Sequence, residues 1–87
     1  MKKVEVYTKD YCPYCVKAMN LLTLRGIDYI AYDMTHDAAR QQEMVVRVPG
    51  ARTVPQILID GVAIGGCDDL YALDAAGELM VRVQEGN

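Results

Sequence analysis

Two cysteines separated by two residues, Cys12 and Cys15, stand where a β-patterned stretch gives way to a helical one. Before them Val4, Val6 and Thr8 alternate with Glu5 and Tyr7, the period of a strand, so Lys3 to Thr8 reads as the first strand. Lys9-Asp10-Tyr11 is a short loop. After it Cys15, Val16, Ala18, Met19, Leu21 and Leu22 recur at helical spacing, and Pro13 suits a first helical turn. The helix runs to Arg25, where Gly26 serves as the residue beyond its C-cap. Ile27 to Asp33, rich in Ile and Tyr, reads as a second strand. A helix between two strands makes them parallel and the crossover right-handed.

Beyond this βαβ unit, Thr35 or Asp37 can cap a second helix through Ala38, Ala39, Gln42, Val45 and Val46, which Pro49-Gly50 ends. Val54 to Ile59 reads as a third strand, Asp60-Gly61 as a two-residue hairpin turn, and Val62 to Ile64 as an antiparallel fourth strand. Gly65-Gly66 turns the chain. Asp68 and Asp69 then favour a helix N-terminus, and Gly77 marks the end of that helix. The pattern gives no placement for the last ten residues. At 87 residues one domain, 1–87, is the economical reading. It is an α/β domain: a βαβ unit plus β-hairpin and C-terminal helix, its four-stranded mixed sheet flanked by helices.

The net charge of −3 and pI near 4.9 argue against a nucleic-acid partner, which favours a basic patch. Eight of the nine Lys and Arg precede residue 60, so the half carrying the cysteine pair is relatively positive. No apolar run suits a signal peptide or a membrane span, so a soluble cytoplasmic protein with no membrane partner is expected. Three cysteines are too few for a secreted disulfide framework; a C-x-x-C in a reducing compartment points to redox or metal chemistry.

The redox reading follows from placement. Cys12 directly precedes the Pro that opens the first helix, among unpaired N–H groups at the positive end of the helix dipole. C-x-x-C cysteines so placed have pKa values lowered from about 8.5 to roughly 3.5–7.5, and the thiolate is the nucleophile. Cys12 is therefore read as the attacking sulfur. Cys15, one turn further in and more shielded, is read as the resolving one. The competing zinc reading adds Cys67 and His36 to the pair as ligands, but a second short-spaced couple is missing and His36 reads as a solvated surface residue; no metal site is expected.

Three separated stretches, Thr8-Lys9-Asp10-Tyr11-Cys12-Pro13-Tyr14-Cys15, Thr53-Val54-Pro55-Gln56-Ile57 and Ile64-Gly65-Gly66-Cys67-Asp68-Asp69-Leu70, together resemble the glutaredoxins. The likeness spans about residues 3 to 76, and the three motifs in this order are far more specific than a lone C-x-x-C. It implies a thioredoxin-like fold, no bound cofactor, and glutathione as reductant of protein disulfides and protein–glutathione mixed disulfides.

The resemblance also implies roles. Pro55 is expected to be cis, with the turn Thr53-Val54-Pro55 exposing the Val54 backbone to pair with glutathione as a sheet edge pairs with an added strand. Gly66, Cys67 and Asp68 open a helix whose N–H groups can hold the γ-glutamyl carboxylate, with Asp69 or Asp68 facing its ammonium group. Lys9 is expected to meet the glycyl carboxylate as a point charge, and Arg40 or Gln41 to add to it. Tyr14 is expected to line the glutathione groove, with Tyr11 beside it. Cys67 reads as a small, partly buried residue without a redox role. Protein partners are disulfide-bearing or glutathionylated proteins, ribonucleotide reductase being family-typical, and a monomer is expected.

Two departures from the family pattern stand out. Leu58 occupies a position often held by Phe, and Arg47 to Arg52 forms a slightly longer connection. The stretch Glu78–Asn87 matches no family motif. Two other functions compete. A thioredoxin-like donor served by a flavin reductase usually shows W-C-G-P-C, and this chain has no Trp. A carrier of a glutathione-ligated iron–sulfur cluster is more typical of relatives with C-G-F-S.

Overall fold

The computed structural model describes residues 1–84; residues 85–87, the end of the expected 1–87 domain, lie outside the described residues. The elements in chain order are β1 (Val4–Thr8), α1 (Pro13–Leu24), β2 (Ile30–Asp33), α2 (Ala38–Arg47), β3 (Gln56–Ile59), β4 (Val62–Gly65), α3 (Cys67–Ala75) and α4 (Leu79–Val83). The sheet order is β2-β1-β3-β4, with β1 parallel to β2 and the other neighbours antiparallel. In register, Val6 faces Ala31 on one side and Ile57 on the other.

The period-2 alternation of β1 and β3 sorts the core into two layers. Val4, Val6, Ile57 and Ile59 pack with Ala18, Leu21 and Leu22 of α1, Leu70 of α3, and Leu79 and Val83 of α4. Tyr7 and Leu58 point the other way and pack with Met34 and with Met44 of α2. Leu58, at the position often held by Phe, is fully buried in this second layer.

Every residue of β1 is buried, so its alternation separates two packed faces and not a packed face from a wet one. Even Glu5 is only 3% exposed. Its carboxylate accepts two bonds of 2.8 Å from the Arg47 guanidinium and one of 2.7 Å from the Tyr32 hydroxyl. The Tyr7 hydroxyl donates to Glu43 at 2.6 Å and accepts from Arg47 at 2.9 Å, while Arg40 donates to Glu43 at 2.8 Å. The Arg40 guanidinium also lies 4.1 Å from the Tyr32 ring centroid. This network holds α2 to the sheet.

Element ends differ from the sequence pattern for local reasons. Gly26, at φ +70°, and Ile27 fold back to donate to the carbonyls of Thr23 and Leu22, a Schellman close that draws Ile27 into the core and delays β2 to Ile30. Asp37, not Thr35, caps α2 by accepting the Arg40 N–H at 3.0 Å. The hairpin turn holds Asp60 at φ +54° and Gly61 at φ +77°, both in the left-handed region its type requires. Pro55 has no N–H for the ladder, so β3 begins at Gln56 and not at Val54. The unplaced tail supplies α4: Leu79 and Val83 are buried, and the Val83 carbonyl accepts the Lys2 N–H at 2.7 Å.

Candidate functional site

Cys12 is the N-cap residue of α1, with Pro13 in the first turn where a missing N–H costs nothing. The Cys15 N–H points at the Cys12 sulfur, 3.2 Å away, and the Val16 N–H closes the first helical bond to the Cys12 carbonyl. The two cysteines are joined as a disulfide, their Cα atoms 5.2 Å apart. Cys12 is half-buried, whereas Cys15 is fully enclosed. One sulfur of the pair thus faces visitors and the other faces the helix and core.

The loop before Cys12 is fastened from β2. The Thr35 hydroxyl and N–H both donate to Asp33, and the Thr35 oxygen accepts the Asp10 N–H at 2.7 Å. Neither Thr35 nor Asp33 stands out in the sequence as part of a site. An Asp followed two residues later by a hydroxyl is their only signal.

On one side of Cys12 lies a groove of about 450 Å³ lined by Tyr14, Thr53, Val54, Pro55, Gln56, and Gly65 through Asp69. The structure thus brings together three segments remote in sequence. The Val54–Pro55 bond is cis, and the Val54 carbonyl lies 3.7 Å from the Cys12 sulfur. Gln56, which sequence reasoning passed over as a strand residue, braces this turn by donating to the Thr53 carbonyl at 2.9 Å.

The opposite wall is the start of α3. Asp69 turns back to accept the Gly66 N–H at 2.9 Å, leaving the N–H groups of Cys67 and Asp68 without intrahelical partners. Gly65, at φ +113°, has the Asp69 carboxylate packed where a Cβ would stand, and a Cβ on Gly66 would come 3.3 Å from the Pro55 carbonyl. Gly65 needs glycine for the walls to approach this closely, and at Gly66 a side chain would crowd the turn. Cys67 is a free, buried thiol, and burial pushes its pKa up. It therefore stays protonated where a thiolate would be needed for attack.

A second groove, of about 570 Å³, lies on the other side and is lined by Cys12 itself with Thr8, Lys9, Asp10, Tyr11, Pro13, Val16, Met19 and Asp33. Tyr11 and Tyr14, expected side by side, line different grooves. Lys9 is exposed on this second rim. Arg40 and Gln41 line neither groove: Arg40 is bonded to Glu43, and the Gln41 amide donates to the Met34 carbonyl at 2.8 Å. Among the described residues no three His, Cys, Asp or Glu side chains gather to hold a metal ion, and His36 is exposed. No helix of the described residues is long and apolar enough to cross a membrane.

Comparison with known proteins places this geometry. Residues 4–64 match the glutaredoxin family model. The chain is 52% identical over 79 residues to glutaredoxin 3 of Escherichia coli K12, covering 91% of this chain and 94% of that one. Among solved structures, a glutaredoxin from Brucella melitensis superposes with a TM-score of 0.81 at 38% identity, covering 100% of this chain and 96% of the other. A buckwheat glutaredoxin–glutathione complex superposes with a TM-score of 0.84 at 28% identity, covering 94% of this chain and 76% of the other. With its Cys12–Cys15 pair at the mouth of α1 and its thioredoxin-like sheet, the chain belongs to the glutaredoxin family of glutathione-dependent thiol–disulfide oxidoreductases.

Proposed function

We propose that Cys12 is the nucleophile of this oxidoreductase, that Cys15 resolves it, and that the Tyr14–Val54–Asp69 groove holds glutathione. The observation that carries the reading is the asymmetry of the pair, a half-buried Cys12 at the N-cap against a fully enclosed Cys15. The Cys12 thiolate attacks the glutathione sulfur of a mixed disulfide, forming a Cys12–glutathione disulfide and expelling the substrate thiolate. A second glutathione thiolate then attacks that bond, releasing glutathione disulfide and restoring Cys12. With a protein disulfide, Cys15 attacks the mixed disulfide on Cys12, closing the pair and freeing the dithiol product.

Glutathione is an extended peptide with charged ends, and the groove suits both features. The Thr53-Val54-Pro55 turn offers the Val54 backbone as a strand edge, and the free N–H groups of Cys67 and Asp68 suit the γ-glutamyl carboxylate. Asp69 and Asp68 face its ammonium group. The peptide's other carboxylate is assigned to Lys9, whose flexible stem carries an ammonium that makes no ion pair among the described residues. Gln41 and Arg40 are left out of this set because their side chains are already engaged.

The chain acts as a monomeric cytoplasmic domain on glutathionylated or disulfide-bearing proteins. A glutathione-coupled assay tests the assignment. Cys15→Ser should retain turnover of a glutathionylated substrate and lose protein disulfide reduction, while Cys12→Ser should lose both. Turnover by Cys12→Ser would assign the nucleophile elsewhere.

A further inference from the structure

We infer that Thr35 is a positioning residue for glutathione: its hydroxyl pins the loop that carries Lys9 and so keeps the Lys9 ammonium free for the glycyl carboxylate. The inference rests on the assignment of that carboxylate to Lys9 and goes beyond it by naming what holds Lys9 in place.

Lys9 is held on both sides by consecutive residues of the bend after β2. The Met34 N–H donates to the Thr8 carbonyl at 2.8 Å, and the Asp10 N–H donates to the Thr35 hydroxyl oxygen at 2.7 Å. The first bond joins main-chain atoms and does not depend on the side chain at either position. The second exists only while residue 35 carries an oxygen. That oxygen is oriented: its one proton goes to Asp33 at 2.6 Å, and the same Asp33 oxygen accepts the Thr35 N–H at 2.9 Å. The Thr35 hydroxyl, and after it the Thr35 N–H, hold the Asp33 carboxyl below its ordinary pKa. Asp33 is therefore an ionised acceptor, which turns the lone pairs of the hydroxyl toward Asp10.

Two further observations meet at Lys9. Tyr11, the last residue of the loop, stands at φ +54°, a region a bulky side chain rarely adopts, so an unanchored loop has a less strained alternative to relax into. Lys9 also shares its groove with Asp10 and Asp33, yet makes no ion pair among the described residues. Removing the Thr35 hydroxyl releases the loop and deprives Asp33 of a donor in one step. The Lys9 ammonium is then drawn to Asp33 or Asp10 in place of the carboxylate of glutathione. Thr35 lines neither groove, so its effect on glutathione passes through Lys9.

The test compares two small mixed disulfides of cysteine, one with glutathione and one with glutathione amide, in which a neutral amide replaces the glycyl carboxylate. Thr35→Val keeps the shape and loses the oxygen, whereas Thr35→Ser keeps the oxygen. Thr35 belongs to neither core layer, so both fold. The wild type should prefer the glutathione substrate by about fivefold in kcat/KM, the upper scale of one exposed ion pair. Thr35→Val should bring that preference below about twofold, by slowing the glutathione substrate alone, and Thr35→Ser should restore it. In Lys9→Gln the preference should be gone, and adding Thr35→Val should change it no further.

A Thr35→Val variant that keeps the wild-type preference would overturn the inference. Equal slowing on both substrates would overturn it too, as the mark of a merely structural role, and so would failure of Thr35→Ser to restore the preference. A wild type indifferent to the amide, or a Lys9→Gln variant that still discriminates, would instead overturn the assignment of the carboxylate to Lys9, and this inference with it.

Discussion

At the scale of single residues, position decides which of three cysteines does chemistry. Cys12 stands half-buried at a helix N-terminus, Cys15 is sealed beneath it, and Cys67 lines the same groove as Val54 yet is buried with its pKa raised. Cys67→Ala should therefore keep the activity in a glutathione-coupled assay, because no step uses its sulfur. Cys67→Ser should also stay active but lose about 1–2 kcal/mol of stability in urea denaturation, since a hydroxyl replaces a thiol in an apolar cluster. Loss of activity in Cys67→Ala with the fold intact would put this thiol into the reaction. The placement of Cys12 at the helix start and of Cys15 one turn further in was legible in the sequence because spacing, Pro13 and the helical period all lie within one continuous stretch. The place of Gln41 was not. Its neighbour across space, the Met34 carbonyl, belongs to a bend whose geometry no periodicity reports.

At the scale of elements, the groove depends on how closely the start of α3 approaches the Thr53–Pro55 turn. Gly65→Ala puts a methyl group against the Asp69 carboxylate on a backbone that disfavours any side chain. The expected result is a raised KM for glutathione, together with about 1–2 kcal/mol of lost stability read from chemical denaturation. Gly26→Ala strains the same backbone region but meets nothing, so it should cost about 1 kcal/mol and leave the KM unchanged. The pair separates damage to a turn from damage to the site. Element existence was largely readable from periodicity and turn residues, as the Asp60-Gly61 hairpin shows. Element ends were less so, because Ile27 has the composition of a strand residue and is recruited instead to close α1. Helix α4 was missed since it is short, and its two buried residues, Leu79 and Val83, make too brief a pattern to stand out.

At the scale of the whole molecule, the face of the sheet away from α1 is held by charge as much as by apolar packing. The Arg47 guanidinium and the Tyr32 hydroxyl beside Glu5 lower its pKa from 4.5 to about 2, against a burial that pushes the other way. The folded state therefore holds Glu5 ionised where the unfolded chain protonates it. The resulting stabilisation, on the order of 3 kcal/mol, is complete above the unfolded value and disappears as pH falls through about 2. Denaturation midpoints at pH 7 and pH 2.5 should show it: the gap between wild type and Glu5→Gln should be wide at pH 7 and narrow in acid. At pH 7 Glu5→Gln should cost about 3 kcal/mol because Arg47 is left without its counter-charge. An equal gap at both pH values would mean that the pair contributes through shape alone. Sequence reading treated Glu5 as the polar member of an alternating strand; that α2 covers it follows only from tertiary packing.

The bond from Lys2 to Val83 joins the segment just before the first strand to α4. On the ribosome, therefore, the β1–α1 unit that carries the cysteine pair emerges early but stays incomplete: β1 is central and waits for β3 on one edge, and its layer with α1 waits for Leu79 and Val83. A nascent chain arrested before α4 would display bare apolar floor beneath a finished cysteine motif. The same adjacency makes the protein a natural candidate for circular permutation. A short tether across the Lys2–Val83 junction, with new ends opened at Asp60-Gly61, would keep Cys12, its two grooves and both layers of the core on one uninterrupted scaffold.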